Sequence, residues 1–206
     1  MEALRFSTPD DREELARAEV YGFLANVFYA PPAAELYALL RVSVTEAPVR
    51  GAYLERAWSE VVATARRLAL ADVRDEYAAL FQGVGKPEIL LYGSFHIAGR
   101  LNEKPLVELR RDLNALGLER PETVDETEDH IASLCEVMRY LIAGDDIATS
   151  NLATQQRFYN AHLRAWVEGF CNALAAHPRA DFYRAVAVFA HDFFEVEAQG
   201  LDLLDA

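Results

Sequence analysis

The 206 residues are 52% apolar, 11% aromatic and 26% charged, and 33 acids against 20 bases leave a net charge of −13. A chain of this length buries roughly 70% of its unfolded surface, so it needs no metal or disulfide staple, and two cysteines exclude a disulfide scaffold. The acidic balance argues against a nucleic-acid partner. No apolar run reaches the roughly 18 residues of a membrane span. The acidic N-terminus lacks the layout of a secretory signal, so the expectation is a cytoplasmic protein without stable membrane insertion.

The apolar pattern is helical nearly throughout. Thr8 and Pro9 predict a helix start, with Val20, Leu24, Val27 and Phe28 on one face and Pro31-Pro32 as the stop. A short helix carrying Leu36, Leu39 and Leu40 follows. A long helix from Pro48 carries Leu54, Trp58, Val61, Ala65 and Leu68, and Val73, Tyr77, Leu80 and Phe81 add a turn or two before Gly83.

Residues 82–104 break the period and predict a packed loop, in which Ile89 to Tyr92 resembles a strand with no partner. Pro105 opens a helix with Leu106, Leu109, Leu113 and Leu116 inward and Gly117 as its C-cap. After a polar interruption at 118–128, one stripe runs through Ile131, Leu134, Cys135, Met138, Leu141 and Ile142 to Gly144. Ser150 or Asn151 caps a single helix that carries Phe158, Leu163, Trp166, Phe170 and Leu174 to His177-Pro178. A last helix spans about Asp181 to Glu197. The expectation is an all-α, single-domain bundle of eight or more helices in two packed halves.

Little in the chain points to catalysis. Gly83-Val84-Gly85-Lys86 fails the phosphate-loop pattern, because Leu80 stands where the first glycine belongs and Pro87 follows the lysine. No histidine has a glutamate three residues before it, which excludes a di-iron bundle. Cys135 and Cys171 lie on buried stripes and read as structural thiols. We therefore expect no catalytic residue, no metal and no cofactor. Charge is concentrated at Glu119–Asp146, where nine acids face two arginines for a net −7 over 28 residues. Within it, Glu128-Asp129-His130 reads as the polar start of a helix, and Glu126 shares a face with His130.

Three segments resemble the TorD/DmsD/NarJ family of cytoplasmic chaperones for molybdenum oxidoreductases. They are Tyr21-Gly22-Phe23-Leu24-Ala25-Asn26-Val27-Phe28-Tyr29-Ala30-Pro31-Pro32, then Glu76-Tyr77-Ala78-Ala79-Leu80-Phe81 with Gly85-Lys86-Pro87 and Tyr92-Gly93-Ser94-Phe95, and Glu126-Thr127-Glu128-Asp129-His130-Ile131 with Phe158, His162, Trp166 and Phe170. Two positions depart from the family pattern: Glu128 stands where a proline is usual, and Gly93 where an acid often is. The resemblance implies a binding protein that holds the catalytic subunit of a dimethyl-sulfoxide-reductase-type molybdenum enzyme, or its twin-arginine leader, until cofactor insertion is complete. It implies a client-binding set of Asp129, His130, Glu126, Glu128, Tyr92, Ser94, Phe95, Trp166 and His162, in a monomer or dimer. Paired arginines and an apolar segment require carboxylates beside an apolar surface, which stretch 119–129 and loop 89–95 are expected to supply. The competing reading is an all-helical ligand-responsive regulator. Against it stand ten acids and six arginines in residues 1–60, where DNA-binding helices would be basic. If His130 acts through its charge, binding should change between about pH 6 and 8.

Overall fold

The computed structural model describes residues 9–45, 53–83, 87–121 and 123–205, and among them it contains ten α-helices and no strand. Helix α1 (Pro9–Tyr29) is flanked by two others. On one side it packs along α7 (Ile131–Ala143), where Gly22 lets the Arg139 side chain approach. A Cβ there would lie 3.2 Å from Arg139 Cδ. On the other side Tyr21 meets Phe193 of α10 (Phe182–Asp202) edge-on at 4.9 Å. The apolar core runs unbroken from Tyr21 to Leu201, through helices on both sides of segments 82–104 and 118–128. The two cysteines are free and buried, and burial pushes both thiols up.

Polar side chains pin this packing. Arg17 and Tyr21 of α1 share Glu197 of α10 at 2.6 and 3.0 Å, and Arg17 also reaches Gln155 on α8 (Leu152–His162). Glu76 on α4 (Leu70–Phe81) accepts the backbone N–H groups of Asp181, Phe182 and Tyr183 at 2.8 to 3.0 Å. It thus satisfies the unpaired donors at the start of α10. The neighbouring Tyr77 donates its hydroxyl to the carbonyls of Phe28 and Tyr29, where α1 ends.

Several boundaries differ from the sequence expectation. Thr8 and Pro48 lie outside the described residues, and α3 is Glu55–Arg67. A break at Leu68-Ala69 separates it from α4, which makes three full turns. On α2 (Ala34–Val42) Leu40 is buried and Leu36 packs half-buried against the core as expected, but Leu39 is exposed and Tyr37 is buried instead, its hydroxyl donating to the Leu68 carbonyl. Segment 82–104 is not wholly irregular: it contains α5 (Gly93–Ala98), closed by Gly99 at φ 74°. Its apolar run finds a partner after all, in a single antiparallel bridge between Tyr92 and His130.

Helix α6 (Lys104–Ala115) ends as expected, with Gly117 at φ 71° and the Leu118 N–H returning to the Leu113 carbonyl. The helix expected from Asn151 to His177 is two, α8 and α9 (Val167–Ala175). The bend lets the Trp166 indole N–H donate to the His162 carbonyl at 2.7 Å and turns Phe170 and Leu174 into the core. Helix α10 runs past Glu197 to Asp202 because Leu201 is buried and Arg164 forks onto Asp202.

Candidate functional site

Some of the residues singled out by the family resemblance, Asp129, His130, Tyr92 and Ser94, meet at the start of α5. The Asp129 carboxylate does not cap α7, the helix that follows it. Its Oδ2 accepts the Ser94 N–H of α5 at 2.8 Å and its Oδ1 the Thr127 hydroxyl at 2.6 Å, while its backbone carbonyl takes the Gly93 N–H. Asp129 is 3% exposed. Ser94 is buried beside it, and its hydroxyl has no partner among the described residues.

His130 is the N-cap of α7: its Nδ1 accepts the Ala132 N–H at 3.1 Å, which leaves the ring proton on Nε2. The ring is buried edge-on to Tyr92 and Tyr29 at 5.1 and 6.4 Å. Burial pushes its pKa down to about 4, against the opposing charges of Glu126 and Asp129. The imidazole is therefore neutral across physiological pH. Tyr92 donates its hydroxyl to Glu126, and burial together with that bond raises the phenol.

A second group lies behind α5. The His96 ring stacks on Trp166 at 5.1 Å and 16°, with its Nε2 2.7 Å from the Leu90 carbonyl. Gly93 sits against the same indole, where a Cβ would come within 3.2 Å. Trp166 is 3% exposed, and Phe95 is half-buried against His96. His162 is buried, pairs with Asp112 at 3.0 Å, and has its pKa lowered by burial despite that carboxylate. Loop 89–95 faces inward rather than offering an apolar surface, since Ile89, Leu90 and Leu91 are all buried.

The open apolar surface lies next to these groups. A groove of about 500 Å³ runs between α1 and α7. Ala25, Asn26 and Tyr29 line it from α1, and Ser133, Val137 and Tyr140 from α7. Leu113, Leu118, Pro121 and Val124 complete the lining. Its charged residues are Glu119, Glu128 and Glu136, with one arginine, Arg120. Tyr29 joins the two regions, with one edge towards His130 and its ring on the groove.

Of the predicted set, only Glu128 lines this groove. It turns away from Asp129 and His130 to Arg110, at 2.9 and 3.0 Å, and towards Arg120 at 3.6 Å. Burial would raise the Glu128 carboxyl, but the Arg110 hydrogen bond and the two positive charges hold it below its usual value. The groove residues Ser133, Val137 and Tyr140 of α7 were not singled out in the sequence; their helical spacing beside the main stripe is the signal that could have found them. The stacking of His96 on Trp166 left no sequence signal.

A family model described as "Nitrate reductase delta subunit" matches residues 49–172. The chain is 26% identical over 204 residues to the Chaperone protein TorD of Vibrio cholerae serotype O1 (strain ATCC 39315 / El Tor Inaba N16961), covering 91% of this chain and 93% of that one. It is 26% identical over 144 residues to the Chaperone protein TorD of Aliivibrio salmonicida (strain LFI1238), covering 66% and 67%. No helix among the described residues is long and apolar enough to cross a membrane.

Proposed function

Because the chain belongs to the nitrate reductase delta subunit family, which includes TorD, we propose that it is a molybdoenzyme maturation chaperone. It binds the leader of a molybdenum oxidoreductase catalytic subunit in the groove between α1 and α7. The supporting observation is the pairing of an apolar groove with three carboxylates on its lining. A leader that carries two arginines before an apolar segment is complementary to it. The apolar residues leave water against Tyr29, Val137 and Tyr140, at roughly 25 cal/mol per Å² of surface, while the guanidiniums meet carboxylates in charge-assisted hydrogen bonds. Held there, the leader is withheld from export while the cofactor is inserted. The protein acts by binding, not by catalysis.

The test is co-purification from the native host, with a groove-filled Ser133→Trp variant beside wild type. The wild-type protein should retain a molybdenum-enzyme catalytic subunit with its leader, and the variant should retain much less. Recovery of no such subunit, or equal recovery by both proteins, contradicts the proposal.

A further inference from the structure

The groove carries its own cation. Arg120 is its one arginine among the described residues and stands before the Glu128 carboxylate, with Nε 3.6 Å from Oε1. That separation is too long for a hydrogen bond. The other oxygen, Oε2, holds Arg110 at 2.9 and 3.0 Å. Arg110 is thus bound firmly from α6, whereas Arg120 has only a loose hold on Oε1. Its remaining contact is local, a hydrogen bond from Nη1 to the carbonyl of Val124, four residues along the same segment. It can therefore leave Glu128 without disturbing any helix–helix contact.

From this we infer that the Oε1 face of Glu128 is the guanidinium subsite of the groove, and that Arg120 occupies it as a stand-in for a client arginine until one displaces it. This rests on the proposed groove and adds a specific exchange to it. A third guanidinium cannot join Arg110 and Arg120 on one carboxylate without like-charge repulsion. An incoming arginine must therefore expel Arg120, and Arg120 is the weaker-held of the two. Glu119, also on the lining, offers a carboxylate to the second arginine of a pair. A neutral peptide has nothing to gain from the exchange, so the contact selects for a cationic leader.

The test is fluorescence anisotropy with a labelled synthetic peptide bearing Arg-Arg followed by an apolar Leu/Ala segment. Arg120→Gln should bind it about two- to fivefold more tightly than wild type, the scale of an exposed ion pair removed from competition. Arg120→Lys keeps the charge but loses the planar fork and should fall between. Arg111→Gln removes an equal charge from an exposed site paired with its neighbour Asp112, and should gain less. In a Glu128→Gln background the Arg120→Gln gain should vanish. If the gain matches that of Arg111→Gln, or persists without Glu128, the subsite assignment is wrong and the effect is general charge. If wild type does not bind the peptide, or Ser133→Trp leaves binding intact, the groove proposal itself fails and the subsite with it.

Discussion

Replacing Asp129 separates a residue that positions the site from one that touches the client. The carboxylate is 3% exposed and accepts hydrogen bonds from Ser94 N and Thr127 Oγ1 at 2.8 and 2.6 Å. Hydrogen bonds to a charged group contribute about 1.5–3 kcal/mol each, and a buried N–H left unpaired costs about 1–3 kcal/mol. Asp129→Ala removes both bonds and strands the Ser94 N–H, while relieving the cost of burying a carboxylate. The net loss should be about 2–4 kcal/mol, which for a chain of this size lowers the melting temperature by roughly 5–15 °C. Asp129→Asn keeps an oxygen for Ser94 and can turn its amide towards the Thr127 oxygen, so it should lose only about 1 kcal/mol. Neither variant should change peptide affinity by more than about twofold at a temperature where it is folded. Melting by circular dichroism and peptide anisotropy on the same preparations decide it. An affinity at least tenfold weaker in Asp129→Asn with an unchanged melt would refute the positioning role.

The remaining predictions concern His130, Glu76 and Gly93. His130 has a folded pKa of about 4, below its unfolded value of about 6.5. The folded state therefore binds fewer protons, and stability present above about pH 6.5 is lost as pH falls towards 4, by up to about 3 kcal/mol. Urea melts should show a weaker loss for His130→Gln over that window, while wild-type peptide affinity should carry no His130 titration between about pH 6.5 and 8. Glu76→Gln leaves one oxygen for the three N–H groups at the start of α10 and should cost about 2–3 kcal/mol in urea melts. Gly93→Glu places a Cβ 3.2 Å from the Trp166 indole and should cost about 1–3 kcal/mol by overpacking, with a changed near-ultraviolet dichroism from the moved indole.

Periodicity made the helices legible, because each buries one stripe: Val73, Tyr77, Leu80 and Phe81 are all in the core, as are Leu106, Leu109 and Leu113. The α8–α9 break was not legible, since Leu163 to Trp166 contains neither proline nor glycine, and the indole of Trp166 that donates to the His162 carbonyl at the bend belongs to the same apolar stripe as its neighbours. At the site, sequence adjacency misled. Glu128, Asp129 and His130 are consecutive yet serve three places: the groove, the start of α5 and the start of α7. The acidic count from Glu119 to Asp146 also overstates the available charge. Glu128 and Glu136 hold arginines, Asp129 is buried and Asp146 caps its own turn. Pairings of that kind are set by the fold and have no local sequence pattern.

The groove between α1 and α7 is the proposed seat of the leader. The most direct measurement is photocrosslinking with the Arg-Arg peptide carrying a benzophenone side chain in its apolar segment, followed by mass-spectrometric location of the adducts. Adducts are expected at Tyr29, Ser133, Val137 and Tyr140, lost when excess unlabelled peptide is added. Adducts concentrated instead in the pockets on the other side of α1, at Trp58 and Phe189 or at Val196, would contradict that placement.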